Sequence, residues 1–137
     1  MTDVLNALVG AWSVEATHPM SPGLVVPGRA TFEWLEGEKF LIQRSQAHHP
    51  DFPDSIWVIG DGLAHYFDSR GVQRIYEVSA EDGILRMARD DPGFSQRFEG
   101  RFSDDGDTLS GLWKLSRDDQ TWDDDLEITF RRARARS

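Results

Sequence analysis

The chain has 137 residues, enough for one domain with its own hydrophobic core, and it contains no cysteine. Disulfide bonds, thiolate catalysis and cysteine-ligated zinc or iron–sulfur clusters are therefore excluded. The net charge of −9 argues against a nucleic-acid partner, because proteins that bind a phosphate backbone normally present a basic surface.

The N-terminal residues predict neither secretion nor membrane insertion. Residues 1–9 have no basic region before their apolar stretch, and that stretch is too short for a signal peptide or a membrane span. Arginine is used far more often than lysine, which is typical of a GC-rich bacterial genome. We therefore expect a cytoplasmic bacterial protein.

One short helix is predicted, over residues 2–9. Thr2 or Asp3 can cap its N-terminus by accepting a hydrogen bond from a free backbone N–H. The apolar residues of this segment have helical spacing, and they are Val4, Leu5, Leu8 and Val9. Gly10 stands where a helix usually ends.

From Trp12 onward, apolar and polar residues alternate with a period of two, which indicates strands with one buried face. The residues expected on that face include Trp12, Val14, Ala16, Ala30, Phe32, Trp34, Phe40, Ile42, Phe94, Phe98, Phe102, Leu109, Trp113, Leu115, Trp122, Leu126, Ile128 and Phe130. Glycine-containing turns at 68–71, 80–83 and 103–106 separate the strands.

These connections are short, so consecutive strands are predicted to pair in the antiparallel sense. A sheet of roughly ten strands exposes two edges unless it closes on itself. The sequence therefore predicts a single all-β domain over residues 1–137, an antiparallel up-and-down β-barrel of roughly ten strands with a short N-terminal helix. Residues 132–137 are expected to form a solvated basic tail.

Two longer proline-rich stretches, residues 18–28 and 48–54, interrupt the strand pattern. Each follows an early strand, and those two strands run in the same direction in an up-and-down barrel. We therefore expect both stretches to lie at the same open end of the barrel.

The segment Gly10-Ala11-Trp12 after the predicted helix resembles the G-x-W opening of the calycins, the superfamily of lipocalins and fatty-acid-binding proteins. In calycins this tryptophan lies near the barrel floor and is packed by an arginine of the last strand, a position that Arg131 or Arg132 would fill here. The runs 65–72 and 92–98 are similar to an uncharacterised bacterial family of lipocalin-like domains. The resemblance implies a barrel fold and brings no known activity with it.

The chain departs from two distant relatives of that family. Fatty-acid-binding proteins carry a helix pair between their first two strands, and residues 18–28 are too few and too rich in proline for one. The haem-binding nitrobindins carry a proximal histidine late in the chain, whereas the last histidine here is His65. A haem is therefore not expected, and neither is any other cofactor.

A ten-stranded barrel encloses more space than its side chains usually fill, so a ligand cavity is predicted. Strand parity selects the polar side chains that point into it, although parity leaves open whether Tyr66 or His65 does so. The residues predicted to line the ligand site are His18, Arg44, His48, Tyr66, Arg74, Tyr76, Arg86, Gln96 and Trp113.

The three arginines of this set, Arg44, Arg74 and Arg86, allow two interpretations. A buried guanidinium is costly unless it is paired, so a cationic lining would receive a carboxylate or phenolate of an otherwise apolar ligand. Alternatively, each arginine faces solvent or forms a salt bridge. The tyrosines and tryptophans leave a similar choice between ligand contact and core packing.

His48, His49 and Asp51 lie close together in the sequence and suggest a metal site. Adjacent residues of an extended chain point in opposite directions, so the two imidazoles cannot easily bind one ion, and no metal site is predicted. A histidine–aspartate acid–base pair at the barrel mouth is the alternative. No hydrolase, metalloprotease or phosphate-loop motif is present, so catalytic residues stay unassigned.

Three functional hypotheses follow. The first is a protein that binds a small hydrophobic or amphipathic molecule, such as an acid, inside the barrel. The second is an enzyme, an isomerase, cyclase or lyase, that uses the same cavity for proton transfer. The third is an association module whose barrel is filled by its own side chains, which predicts an exposed apolar patch and would suit a homodimer.

Overall fold

A computed structural model describes residues 2–133, which form one α-helix and ten β-strands. The helix is α1 (Thr2–Leu8). The strands are β1 (Gly10–Thr17), β2 (Val26–Trp34), β3 (Leu41–Ala47), β4 (Ser55–Gly60), β5 (Leu63–Asp68), β6 (Gln73–Glu81), β7 (Ile84–Arg89), β8 (Ser95–Phe102), β9 (Thr108–Ser116) and β10 (Asp123–Arg132). No helix within residues 2–133 is long and apolar enough to cross a membrane.

The ten strands of residues 2–133 form a closed antiparallel barrel. Each strand pairs with its neighbours in the chain, and β1 pairs with β10 to complete the ring. Closure leaves no unpaired strand edge, which is the physical reason for a barrel over an open sheet. The predicted fold class is thus confirmed.

The two ends of the barrel differ. The connections 18–25, 48–54, 69–72, 90–94 and 117–122 all lie at one end, which we call the open end. The opposite end, the floor, has short turns and is covered by α1. Both proline-rich stretches lie at the open end, as the strand directions predicted, although β2 already begins at Val26, within the first predicted stretch.

Helix α1 covers the floor with its apolar face, where Val4, Leu5 and Leu8 are buried. It ends at Leu8, one residue before the predicted end, and Val9 is exposed rather than packed. The side chain of Thr2, one of the two predicted caps, lies outside the described part of the chain.

Trp12 and Arg132 join the helix to the floor. The indole Nε1 of Trp12 donates to the carbonyl of Leu8 at 2.8 Å, and the guanidinium of Arg132 lies 4.2 Å from the centre of the Trp12 ring. Arg132 also donates to the carbonyls of Ala7 and Val9. These carbonyls accept no hydrogen bond within the helix, so the donors of Arg132 stabilise the C-terminal end of α1.

The arginine of the last strand that packs on Trp12 is therefore Arg132. Because Arg132 belongs to β10, the predicted tail over 132–137 begins too early. Residues 134–137 lie outside the described part of the chain.

The inward face of β3 was predicted wrongly. Leu41 and Gln43 point into the barrel, whereas Phe40 is exposed and Arg44 lies on the outer wall. Arg44 forms an ion pair there with Glu33 of the adjacent strand. The register of the β2–β3 hairpin is responsible, because it places Leu41 opposite the inward residue Trp34.

The inward face of β7 was also predicted wrongly. Leu85 and Met87 are buried inside, and Arg86 points outward, with its Nε 3.6 Å from Glu99 Oε2 across the strand pair. The turn before β7 pairs Ala80 with Leu85, and residues directly opposite in an antiparallel pair face the same side. Trp122 is a smaller exception, since it precedes β10 and is exposed.

Two glycines make room for an interior ring. Gly100 and Gly111 face each other across β8 and β9, and the ring of Phe98 lies over both. A Cβ atom at Gly111 would collide with two carbons of that ring. The glycines therefore set the position of Phe98 in the barrel wall.

Replacing Gly111 by alanine is expected to lower the free energy of unfolding by about 1–3 kcal/mol, because the added methyl displaces Phe98 in a packed interior. Chemical denaturation measures this. In a Phe98→Leu background the same substitution should cost clearly less, and an equal cost in both backgrounds would contradict the steric explanation.

Candidate ligand-binding cavity

The barrel encloses a cavity of about 470 Å³ that reaches from Leu8 above the floor to the loops of the open end. Trp57, Tyr66 and Trp113 point into it and keep part of their surface accessible, although they lie among buried residues. The interior is thus not filled by its own side chains. This volume is within the range of small-molecule sites.

Five rings that line the cavity contact one another across the middle of the barrel, and we call them the aromatic cluster: Trp57, Tyr66, Tyr76, Phe98 and Trp113. Their ring centres are 4.7 Å to 6.2 Å apart in the contacting pairs. Trp57 on β4 and Trp113 on β9 come from opposite sides of the ring of strands and stack with an interplanar angle of 28°. The cluster offers flat apolar surface to a ligand.

Asp68 anchors one side of the open end. Its side chain is fully buried and accepts hydrogen bonds from the Tyr66 hydroxyl at 2.6 Å and from Arg70 Nη2 at 2.6 Å. Its other oxygen accepts from the backbone N–H groups of Arg70 and Val72. The hydrogen bonds from Arg70, and those from Tyr66 and the backbone, hold the pKa of Asp68 well below its usual range.

Tyr66 is held as a neutral donor by the same arrangement. Burial, and then the hydrogen bond to Asp68, raise the pKa of the Tyr66 hydroxyl far above its ordinary value. The hydroxyl therefore stays protonated and directed at Asp68. Its ring, rather than its oxygen, is what faces a ligand.

Tyr76 and Gln96 form a second polar pair inside the barrel. The Tyr76 hydroxyl donates to Gln96 Oε1 at 2.8 Å, and both side chains are more than nine-tenths buried. Burial raises the pKa of Tyr76, and the nearby guanidiniums of Arg74 and Arg89 oppose that effect. Gln96 Nε2 donates to no residue within 2–133 and is free to bind a ligand.

Of the arginines that line the cavity, Arg29 is exposed and also lacks a carboxylate partner among residues 2–133, whereas Arg74 is the unpaired cation next to the aromatic cluster. Arg74 is half-buried, faces the cavity beside Tyr76, and lies 5.2 Å from the centre of the Phe94 ring. Within residues 2–133 no carboxylate lies within 4.0 Å of it, whereas Arg70 pairs with Asp68 and Arg89 with Asp91. A partly desolvated guanidinium in this situation attracts an anion.

Gln43 is a cavity residue that the sequence analysis missed. It is buried on β3, and its Nε2 donates to Ser45 Oγ at 2.8 Å. Its Oε1 receives no hydrogen bond from the described residues. Correct parity of β3 would have identified it, because Gln43 shares its face with Leu41.

The two predicted histidines do not line the cavity. His18 lies at the rim, beyond the end of β1, with its Nε2 3.0 Å from Oδ1 of Asp125. His48 is exposed, because β3 ends at Ala47 and strand parity no longer applies beyond it. His49 packs against the ring of Phe52 instead of joining His48.

The structure therefore brings together about half of the residues that were predicted to line the ligand site. Of the nine residues predicted, five face the cavity and lie close together: Tyr66, Arg74, Tyr76, Gln96 and Trp113. The other four lie elsewhere: Arg44 and Arg86 on the outer wall, His18 at the rim, and His48 in an exposed loop. Within residues 2–133, no three histidine, aspartate or glutamate side chains approach closely enough to hold a metal ion.

The outer wall carries an apolar patch on three neighbouring strands, β4, β5 and β6. Its exposed residues are Ile56, Leu63, Phe67 and Ile75, and Ile56 lies directly opposite Phe67. The association hypothesis predicted such a patch together with a filled barrel. The patch is present, but the barrel contains a cavity.

Comparison with known proteins supports the barrel architecture. No model of a known protein family matches the chain, and no curated protein does. The crystal structure of Rv2717c from M. tuberculosis is similar, with a TM-score of 0.65 and 16% identity over 96% of each chain. A redesigned β-barrel is similar with a TM-score of 0.53 and 12% identity, also over 96% of each chain. At such identities the likeness concerns the fold alone.

Proposed function

We propose that the protein binds a small amphipathic anion inside the barrel. The apolar body of the ligand lies against the aromatic cluster, and its acidic group lies at Arg74 with Gln96 Nε2 as a second donor. The observation on which this rests most is the half-buried guanidinium of Arg74, which faces the cavity without a carboxylate among the described residues.

The charge balance of the cavity wall supports an anion over a neutral or cationic ligand. Asp68 is neutralised by Arg70, and Asp125 is close to His18 at the rim. Asp51 and Asp125, the two carboxylates that line the cavity, lie at the open end, so Arg74 beside the aromatic cluster has no counter-charge within 4.0 Å among the described residues. An arginine also offers two parallel donors, which match the geometry of a carboxylate or sulfonate.

The two phenols favour binding over turnover. Burial raises the pKa of both Tyr66 and Tyr76, so neither gives up its proton near neutral pH. Both hydroxyls already donate to protein acceptors, Asp68 and Gln96. The enzyme hypothesis assigned proton transfer and anion stabilisation to tyrosine, histidine and arginine side chains, and no histidine of residues 2–133 lines the cavity.

A matched pair of fluorescent probes tests the proposal. 8-Anilinonaphthalene-1-sulfonate and N-phenyl-1-naphthylamine share one aromatic body, and only the first carries an anion. Arg74→Gln should weaken the sulfonate by about tenfold or more, because a hydrogen bond to a charged group contributes about 1.5–3 kcal/mol. The neutral amine should bind the variant and the wild type equally. Fluorescence titration measures both constants.

Arg86→Gln is the matched control, because Arg86 lies on the outer wall and should change neither probe. It separates the effect of Arg74 in the cavity from the effect of losing one positive charge on the outer wall. Equal sulfonate affinity of the wild type and Arg74→Gln would refute the proposed site.

A further inference from the structure

Four residues of one row across the barrel wall line the cavity, and we call them the binding row: Gln43, Trp57, Tyr66 and Arg74. Each is paired directly with the next, Gln43 with Trp57, Trp57 with Tyr66 and Tyr66 with Arg74, on the consecutive strands β3 to β6. All four side chains face the cavity. The row therefore runs from a neutral amide, over two aromatic rings, to a cation.

The amide end of the row has an unused hydrogen-bonding atom. Gln43 is 8% exposed, and one end of its amide is bound to Ser45 Oγ at 2.8 Å. The other end has no partner within residues 2–133 and faces the cavity. No buried side-chain atom of the described residues lacks a hydrogen-bond partner, so this atom is accessible from the cavity. An apolar ligand that covered it would leave it unpaired, which is unfavourable, so a polar group on the ligand is favoured here.

A hydroxyl group suits this position best. With the amide oriented as described, the free atom is Oε1 of Gln43, which accepts a hydrogen bond. In the opposite amide orientation the free atom would be a donor, and the assignment of the two amide atoms depends on the hydrogen-bond network. A hydroxyl can donate or accept, so it fits either case, whereas a carbonyl or an alkyl group does not.

We propose that the ligand is a hydroxylated aromatic acid that lies along the binding row, with its hydroxyl at Gln43 and its acidic group at Arg74. The inference rests on the proposed function and specifies its ligand class. Between the two polar ends, the ring of the ligand packs on Trp57 and Tyr66, whose ring centres are 4.7 Å apart. A simple fatty acid would leave the Gln43 amide without a partner and gain nothing from the flat rings.

Two naphthoic acids test this ligand class. 6-Hydroxy-2-naphthoate carries the hydroxyl and the carboxylate at opposite ends of one rigid body, and 2-naphthoate lacks the hydroxyl. In calorimetric titrations of the wild-type protein, the hydroxy acid should bind about tenfold more tightly. Gln43→Met should remove that advantage and leave the affinity for 2-naphthoate unchanged. Gln73→Met, on the exposed face of β6, is the control and should preserve it.

The outcomes separate this inference from the proposed function. If both acids bind the wild type equally and both depend on Arg74, the anion site stands and the role of Gln43 is overturned. If the advantage persists in Gln43→Met, the role of Gln43 is likewise overturned. If neither acid binds the wild type, this inference is overturned, and the sulfonate titration shows separately whether the anion site stands. The wild-type comparison needs no variant, so it decides the matter even if Gln43→Met does not fold.

Discussion

Replacing Asp68 by alanine is expected to lower the free energy of unfolding by about 2–3 kcal/mol, since the substitution leaves the donors around this buried carboxylate without an acceptor. The Tyr66 hydroxyl would lose its acceptor inside the barrel, and Arg70 would lose its counter-charge. Two backbone N–H groups of the β5–β6 turn would also lose their acceptor. Denaturant unfolding at neutral pH measures the loss.

The ionised Asp68 carboxylate should also make the stability of the fold depend on pH. Because the folded state holds the pKa of Asp68 below its ordinary value of 3.8, the stabilisation is fully present at higher pH and is lost as the pH falls below 3.8. The stability difference between the wild type and Asp68→Asn should therefore be constant above about pH 5 and shrink in acid.

Asp104→Ala is the control for this effect, because Asp104 is exposed and makes no side-chain hydrogen bond to the described residues. Its stability should change by no more than about 0.5 kcal/mol. If Asp68→Ala cost no more than this control, the buried network around Asp68 would contribute nothing to the open end of the barrel.

The barrel was predictable because alternation and short turns are local properties of the sequence. Apolar residues at every second position indicate strands with one buried face, and short turns force neighbouring strands to be antiparallel. Ten strands joined in this way then favour closure. No step required knowledge of contacts between distant residues. The composition, together with the spacing of apolar residues and turns, was therefore sufficient to predict the architecture.

The inward face of two strands was not predictable from periodicity alone. Residues 40–42 are three apolar residues in succession, so both parities of β3 bury the same kind of side chain. The hairpin decides between them, because Leu35 N–H donates to the carbonyl of Phe40 and places Leu41 opposite Trp34. This hydrogen bond of the turn therefore fixes the strand register that places Arg44 on the outer wall and Gln43 in the cavity.

The parity of β7 was available in the sequence. Asp82 and Gly83 form a two-residue turn with positive φ at both positions, which is typical of a tight hairpin. Such a turn pairs Ala80 with Leu85, and the face shared by Tyr76 and Ala80 would then have placed Leu85 inside. Turn type combined with periodicity would therefore have assigned Arg86 to the outer wall.

The arrangement of the polar residues explains how one barrel combines a stable wall with a binding site. Asp68 satisfies the groups around it and leaves little capacity for a ligand. Arg74, Gln96 and Gln43 each keep at least one polar atom without a protein partner among the described residues, and all three face the same cavity. Stability and recognition therefore depend on different side chains, so substitutions can separate them.

Arg132, at the floor of the barrel, is the second position at which a substitution should strongly lower the stability of the fold. Replacing Arg132 by methionine is expected to lower the free energy of unfolding by about 3 kcal/mol, because the side chain donates to carbonyls at the end of α1 and to Gly106 and lies against the Trp12 ring. Methionine keeps the apolar stem and removes the charge and all the donors. Denaturant unfolding measures the change.

Arg131→Met is the matched control, because Arg131 is the adjacent arginine and points outward to an exposed ion pair with Glu15, 3.2 Å between Nη1 and Oε2. An exposed pair of this kind contributes about 0–1 kcal/mol.

The Arg132 substitution should also affect ligand binding, because release of α1 would open the cavity at the floor, where Leu8 of α1 lines it. The Arg132 variant should then bind N-phenyl-1-naphthylamine more weakly than Arg131→Met does. Equal stability of the two variants would show that α1 is held to the floor by its apolar face alone.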